Sequence, residues 1–375
     1  MTIKHLILSG GGPIGLVEYG ALKYLTKQNI ISYNNIESIY AVSIGAILGL
    51  IYILNLEWLW VDDFIIKRPW KKLFKISYTK LLYEKGIINK SVVINALEPL
   101  FLTKNIPLTL TLLEFYNLTK IEFNIYACNF TELEQKKFNH NNTPNVLLID
   151  ALYVSLAVPF VFAPLIIDNC FYLDGGIIIG CPINNCIAEK QCITSEILCF
   201  INDKTSPIDL SNAYHINNNN NNNNSNNNNN NNNNSNNNNN NNINFIKFYY
   251  LLFNKWLMKI SNIENDIIVH IKNSINVALS CNGSNMKYWH YVLISDTERQ
   301  YLINLGELQA KKFINNLDCS TDMFKVSTQV STQVSSNLVD YKILYLLNIY
   351  FKFILYLFYI YFIVILYIFY KNIKI

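Results

Sequence analysis

The first 205 residues or so predict an α/β domain whose mostly parallel sheet is covered by helices on both faces. Two observations carry that expectation. Short runs rich in Ile, Val, Leu, Phe and Tyr recur at Ile3–Leu8, Ile36–Val42, Glu122–Phe130, Cys170–Leu173 and Glu196–Ile201, each about the length of one buried strand. Between them lie Ile14–Thr26, Ile44–Leu54, Lys90–Phe101 and Val146–Leu156, which have helical length and patterning. In such a sheet ligands bind at the carboxyl ends of the strands, so the loops there are where chemistry is expected.

Composition narrows the function classes less than the pattern does. Of the 375 residues 51% are hydrophobic and 15% charged, and the preference for Tyr, Phe, Ile, Asn and Lys reflects AT-rich coding as much as physics. The net charge of +4 is small and the lysines are scattered, which gives no electrostatic footprint of nucleic-acid binding; no nucleic-acid partner is expected. Cys170, Cys181, Cys186, Cys192 and Cys199 cluster without a CxxC spacing or a nearby histidine, so they are read as buried free thiols and no metal is expected. The run Leu6–Leu8 is too short for a secretory leader and leads straight into glycines, which predicts a reducing compartment.

Beyond the α/β segment, taken as residues 3–205, the pattern changes. Asn217–Asn242 is asparagine throughout except for Ser225 and Ser235, and segment 206–244 is expected to be a disordered low-complexity linker without chemistry. Residues 245–340 form a C-terminal region without an assigned structure: Phe245–Ile260 reads as a core helix in preference to one lying on a membrane, 261–340 is weakly patterned, and Val326–Ser336 reads as a polar linker. Phe353–Tyr370 carries no charge and no proline, and with the preceding apolar residues it predicts a membrane-anchoring or transmembrane helix over 343–370. Together with the absent leader this gives an expected single-pass C-terminal anchor, with the catalytic part in the cytosol.

Glycines and a serine then fall at strand ends. Gly10, Gly12 and Gly15 satisfy GxGxxG between a strand and a helix, the context of a dinucleotide fingerprint. The second strand, however, ends at Ser43 where a nucleotide site needs a ribose-binding acid, and Pro13 removes an amide that would grip phosphate, so no nucleotide is expected. Ala41-Val42-Ser43-Ile44-Gly45 instead joins an apolar strand to an apolar helix, with small residues two before and two after the serine. Such an elbow presents a hydroxyl at a helix N-terminus, where the dipole favours developing negative charge; a helix-capping serine is the plainer alternative. A nucleophile needs donors and a base. Gly10, Gly11 and Gly12 supply unhindered amides in the adjoining loop, and Asp174, followed by Gly175 and Gly176, sets a carboxylate at another strand's carboxyl end.

In this combination the sequence resembles the patatin-like phospholipase family. The resemblance rests on GGGPIG (Gly10–Gly15), AVSIG (Ala41–Gly45), SLAVPFVFAP (Ser155–Pro164) and DGG (Asp174–Gly176), in the family's order. It implies a three-layer α/β/α fold and hydrolysis of fatty-acyl lipid esters without a cofactor. By that resemblance Ser43 is the nucleophile, Asp174 the general base, and the amides of Gly10, Gly11 and Gly12 the oxyanion hole. A lipid and a membrane are the partners it implies. The family carries glycine where this chain has Ala41, and an inactive lipid-binding protein of the same fold is the alternative which that substitution supports. An α/β-hydrolase triad is the enzymatic rival; it would draw on His270 or His290. Trp58, Trp60 and Trp70 are candidates for an interfacial rim, and Ile47–Leu59 and Leu156–Ile167 for an acyl groove as much as for ordinary core.

Overall fold

Alternation along four neighbouring strands decides the layering. In the computed structural model, which describes residues 2–74, 84–192, 194–202, 273–277 and 286–319, β1 (His5–Leu8) lies between β2 (Ser38–Val42) and β9 (Ile197–Asn202), parallel to both. Parallel pairing continues to β4 (Glu122–Asn129) beyond β2 and to β10 (Ser274–Val277) beyond β9. Leu6, Leu8, Ile39, Ala41, Ile125, Ala127, Leu198 and Phe200 point to one face, into the larger apolar cluster. Ile7, Tyr40, Val42, Tyr126, Ile197 and Cys199 point to the other. With no polar face the sheet must be covered twice, and it is.

On the larger face lie α1 (Ile14–Lys27), α2 (Ile44–Ile53) and α7 (Leu148–Leu156); on the smaller the chain passes through α8 (Ile183–Lys190), whose Ile183 and Cys186 are buried there. This is the three-layer α/β/α arrangement the sequence implied. Cys181, Cys186 and Cys199 are buried free thiols on that second face, with the Sγ atoms of Cys181 and Cys199 3.3 Å apart.

The parallel run gives way to antiparallel strands at one side, and that change positions a carboxylate. Val42 pairs with Tyr126, so β4 overruns the end of β2 by three residues. The overhang pairs with β8 (Cys170–Asp174), Asn129 with Tyr172 and Ala127 with Asp174, the strand running back toward the end of β2. Strands β5 (Glu134–Phe138) and β7 (Leu165–Ile167) complete this antiparallel side; β3 (Gly86–Ile88) and β6 (Phe160–Phe162) form a separate parallel pair.

Residues 273–277 and 286–319 lie in the same compact unit as the first 202, although they follow the asparagine tract. After β10 come α9 (Met286–Ile294) and α10 (Asp296–Cys319), and α10 packs along α1. Two glycines allow the approach: a Cβ on Gly306 would collide with the Val17 carbonyl, and one on Gly20 with the Ile303 carbonyl. Lys23 of α1, 6% exposed, ties the pair to α3 (Trp58–Ile66) by reaching both Asp62 and Glu307. Arg299 then donates to the Val292 and Ile66 carbonyls, satisfying the free carbonyl ends of α9 and α3 together.

The expected single-pass C-terminal anchor is corrected here. Among the described residues no helix is long and apolar enough to cross a membrane. The most apolar one, α2, has ten residues, about half of a bilayer span. The longest, α10, has 24 but carries Asp296, Glu298, Arg299, Glu307, Lys311 and Lys312. Segments 206–244, 245–260 and 343–370 lie outside the described residues. Of the proposed groove and rim, Ile47 to Leu54 are buried core, whereas Leu59 and Trp60 are exposed. Trp60 stacks on Phe64, and Trp70 meets the same ring edge-on.

Candidate active site

Ser43 is the residue on which the backbone strain falls. It stands between β2 and α2 with φ 54° and ψ −126°, a conformation that costs a non-glycine residue on the order of 1–3 kcal/mol. Three contacts hold it there. The Ser43 N–H donates to Ser155 Oγ at 2.8 Å, and the Ser155 hydroxyl donates in turn to the Tyr126 carbonyl at 2.7 Å. Gly45 lets the first turn of α2 settle on the Leu8 carbonyl, which any Cβ would strike. Gly15 does the same where α1 passes Ile44. Ala41, by contrast, is an ordinary residue of β2, paired with Leu8 and Ile125 and fully buried, so its methyl group sits outside the strained turn.

Asp174 reaches the elbow from the far side of β4. Its Oδ2 accepts the Ser43 hydroxyl at 2.6 Å, and its Oδ1 accepts the Gly176 N–H at 2.6 Å. Its own N–H donates to the Ala157 carbonyl at 2.9 Å. Gly175 is required because a Cβ there would meet the Tyr126 carbonyl. Both side chains are nearly inaccessible, Ser43 at 7% and Asp174 at 4%. Burial is the largest influence on the carboxyl and pushes it up to about 6, against the lowering effect of the Ser43 hydroxyl and the Gly176 amide. Ionised Asp174 therefore prevails at neutral pH, yet it remains basic enough to take a proton.

The glycine loop lies against this pair. A Cβ on Gly10 would approach Ser43 Cβ to 3.2 Å, and Gly12 has φ 58°. Of the three amides expected to act as donors, that of Gly10 is already engaged, donating to the Gly180 carbonyl at 3.2 Å. No hydrogen bond among the described residues engages the amides of Gly11 or Gly12. Just before the loop the Ser9 N–H donates to Glu18 at 3.1 Å; burial raises the Glu18 carboxyl well above its ordinary range, against the lowering effect of that hydrogen bond.

These distances place the elbow, the carboxylate and the amide loop together, in the order the motifs predicted. A model of the patatin-like phospholipase family matches residues 6–187. Residues 6–187 have the patatin-like α/β fold. The chain is 28% identical over 186 residues to a probable lipid hydrolase of Invertebrate iridescent virus 6, a match spanning 48% of this chain and 62% of the relative. It is 29% identical over 186 residues to an uncharacterized protein of Acanthamoeba polyphaga mimivirus, spanning 48% and 60%. The match thus takes in about three fifths of either relative's length. Among solved structures, VipD from Legionella pneumophila is similar at a TM-score of 0.43 and 16% identity, over 84% of this chain and 67% of that one. The type III effector protein ExoU is similar at 0.38 and 11%, over 84% and 53%.

Within the patatin-like domain, the sequence left the task of the Ser-x-Ala-x-Pro stretch unassigned. Ser155 holds the Ser43 amide and Ala157 holds the Asp174 amide, so this one short stretch fixes both halves of the pair. Nothing in local periodicity reveals that, because both partners are distant in sequence. Ser155 is fully buried, and Ser155→Ala would leave the Ser43 N–H and the Tyr126 carbonyl without partners. Destabilisation of about 2–4 kcal/mol is expected, read as a lowered denaturant midpoint at unchanged slope.

Proposed function

We propose that the chain hydrolyses fatty-acyl esters of lipids through a Ser43–Asp174 dyad and an acyl-enzyme. The supporting observation is the direct hydrogen bond of 2.6 Å between the Ser43 hydroxyl and the Asp174 carboxylate, which leaves no space for an imidazole between them. Of the two histidines on either of which a triad could draw, His290 is exposed on α9, and His270 lies outside the described residues. The match of residues 6–187 to a phospholipase family model, and the viral relative named as a probable lipid hydrolase, support the substrate class.

Ser43 Oγ attacks the ester carbonyl carbon as its proton passes to Asp174, and the carbonyl oxygen becomes an oxyanion facing the Gly11 and Gly12 amides. Collapse breaks the bond to the alcohol, which leaves with the proton from Asp174. Water then attacks the acyl-serine, giving its proton to Asp174; the fatty acid departs and the proton returns to Ser43. The strained elbow holds the hydroxyl at the N-terminus of α2, where the helix dipole aids the developing charge. An inactive lipid-binding protein finds no support in Ala41, which lies outside the strained turn.

A fluorophosphonate probe tests the proposal. The intact protein is expected to label, and Ser43→Ala to lose the label together with all ester turnover. Equal labelling of the two proteins, or none of the intact one, would sink the hydrolase reading.

A further inference from the structure

We propose that Asn202 and Trp289, both beyond the residues matched by the family, are positioning residues that clamp the Gly10–Gly12 loop so that its amides face the reacting carbonyl. The clamp serves the hydrolase reading above and rests on it for its purpose, though its geometry can be tested separately.

A run of three glycines is the freest backbone a chain can make, and an oxyanion hole needs its donors fixed before the charge develops. Something outside the loop must therefore hold it. Gly10 is held at both ends of its own unit: its N–H donates to the Gly180 carbonyl, and its carbonyl accepts the Asn202 Nδ2 at 3.1 Å. The second bond has a geometric consequence. Because the peptide joining Gly10 to Gly11 is planar and trans, its C=O and N–H point in opposite directions. Asn202, by drawing the Gly10 carbonyl toward β9, turns the Gly11 N–H the other way.

Trp289 acts on the next unit. The indole of this half-buried α9 residue lies so close over Gly12 that a Cβ there would come within 2.3 Å of its six-membered ring. Gly12 is also the one glycine among those described with positive φ, so its conformation is neither locally enforced nor shielded by a side chain of its own. Covered by the indole, it has less room to rotate its peptide away. The two contacts arrive from different parts of the chain: Asn202 ends β9, ahead of the asparagine tract, and Trp289 follows it. Residues on both sides of that tract thus converge on a single loop.

Four variants of the full chain test this, using a long-chain p-nitrophenyl ester and turnover normalised to active sites titrated with the fluorophosphonate. Asn202→Asp keeps the shape but sets an acceptor against the Gly10 carbonyl, and Asn202→Leu removes the donor. For each, kcat per titrated site is expected to fall about 10–100-fold with KM within about twofold, the pattern of an interaction made only in the transition state. Trp289→Ala is expected to lose about tenfold, and Trp289→Phe to recover most of it. Misfolding would reduce the number of titratable sites and leave turnover per site unchanged. A second readout does not depend on catalysis: amide hydrogen exchange in a peptide covering residues 9–16 is expected to accelerate in Asn202→Asp and Trp289→Ala while β4 exchanges as before. Unchanged exchange in residues 9–16, or unchanged turnover per site in an active protein, overturns the clamp. Failure of the unmutated protein to turn over or label removes the hydrolase reading instead, and the exchange data then decide the clamp alone.

Discussion

Asp174→Asn is expected to lose turnover by about three to four orders of magnitude while making the protein more stable at neutral pH. The loss follows from removing the carboxylate proposed as the base, to which the Ser43 hydroxyl is bonded. The gain follows from the sign of the pKa shift. Asp174 is buried and its carboxyl is raised from 3.8 to about 6 in the fold, so folding favours the protonated form. Below the unfolded value both states hold the proton and the group costs nothing. Between those two values the unfolded chain gives up its proton while the folded one keeps it, so stability falls, and above about 6 it stays lower by about 3 kcal/mol. Asparagine carries no charge at any of these values and still offers an oxygen to the Gly176 N–H. Urea midpoints of the two proteins should therefore coincide near pH 4 and separate by pH 7.5, with the variant the more stable. In the same range, kcat/KM of the unmutated protein should fall about tenfold per pH unit below about 6, as the base is titrated. A variant less stable than the parent at pH 7.5 would show that the charge is better accommodated than its burial implies.

Gly306→Ala and Gly20→Ala should each destabilise the unit by about 3 kcal/mol or more, against the direction helix propensity gives. Alanine in a helix interior is favoured over glycine by about 1 kcal/mol, so either substitution on an exposed face would stabilise. Here each glycine faces a carbonyl of the partner helix, Val17 for Gly306 and Ile303 for Gly20, and a methyl group cannot be placed without separating α1 from α10. Backbone does not move aside as the end of a flexible side chain would, which is why sterics outweigh propensity. The measurement is chemical denaturation with activity in parallel: α1 begins where the glycine loop ends, so a displaced α1 should lower turnover as well as the midpoint. A midpoint unchanged by Gly306→Ala would mean the two helices are free to part.

Much of this was legible in the sequence because it depends on local pattern. The short apolar runs that become β1, β2, β4 and β9 are visible residue by residue, and the elbow, the glycine loop and the Asp-Gly-Gly turn announce themselves by small residues at fixed offsets from Ser43 and Asp174. What escaped depends on pairing between distant segments. That Asp174 arrives on an antiparallel strand, level with Ser43 only because β4 outruns β2, follows from register and from nothing in the run CFYL itself. The same holds for Ser155, which reaches a backbone amide more than a hundred residues away, and for the Gly10 amide, spent on Gly180. Segment 273–319 read as weakly patterned for a different reason. Its strand has four residues, and along α10 the positions that meet α1 include Gly306 and Ala310, whose small side chains dilute the apolar stripe that close packing requires.

The place where the asparagines interrupt the fold bears on how such a tract persists. The chain leaves the sheet at the end of β9 and rejoins it at the start of β10, the parallel neighbouring strand, so the sheet itself fixes the distance between the two ends of the interruption. For a connection between pinned ends, doubling the length costs only about 0.6 kcal/mol. Copying errors that add or drop asparagine codons would accordingly be almost silent in the stability of the domain. Selection on the fold would read Asn202 and the residues from Asn273 onward, and take little notice of how many asparagines lie between.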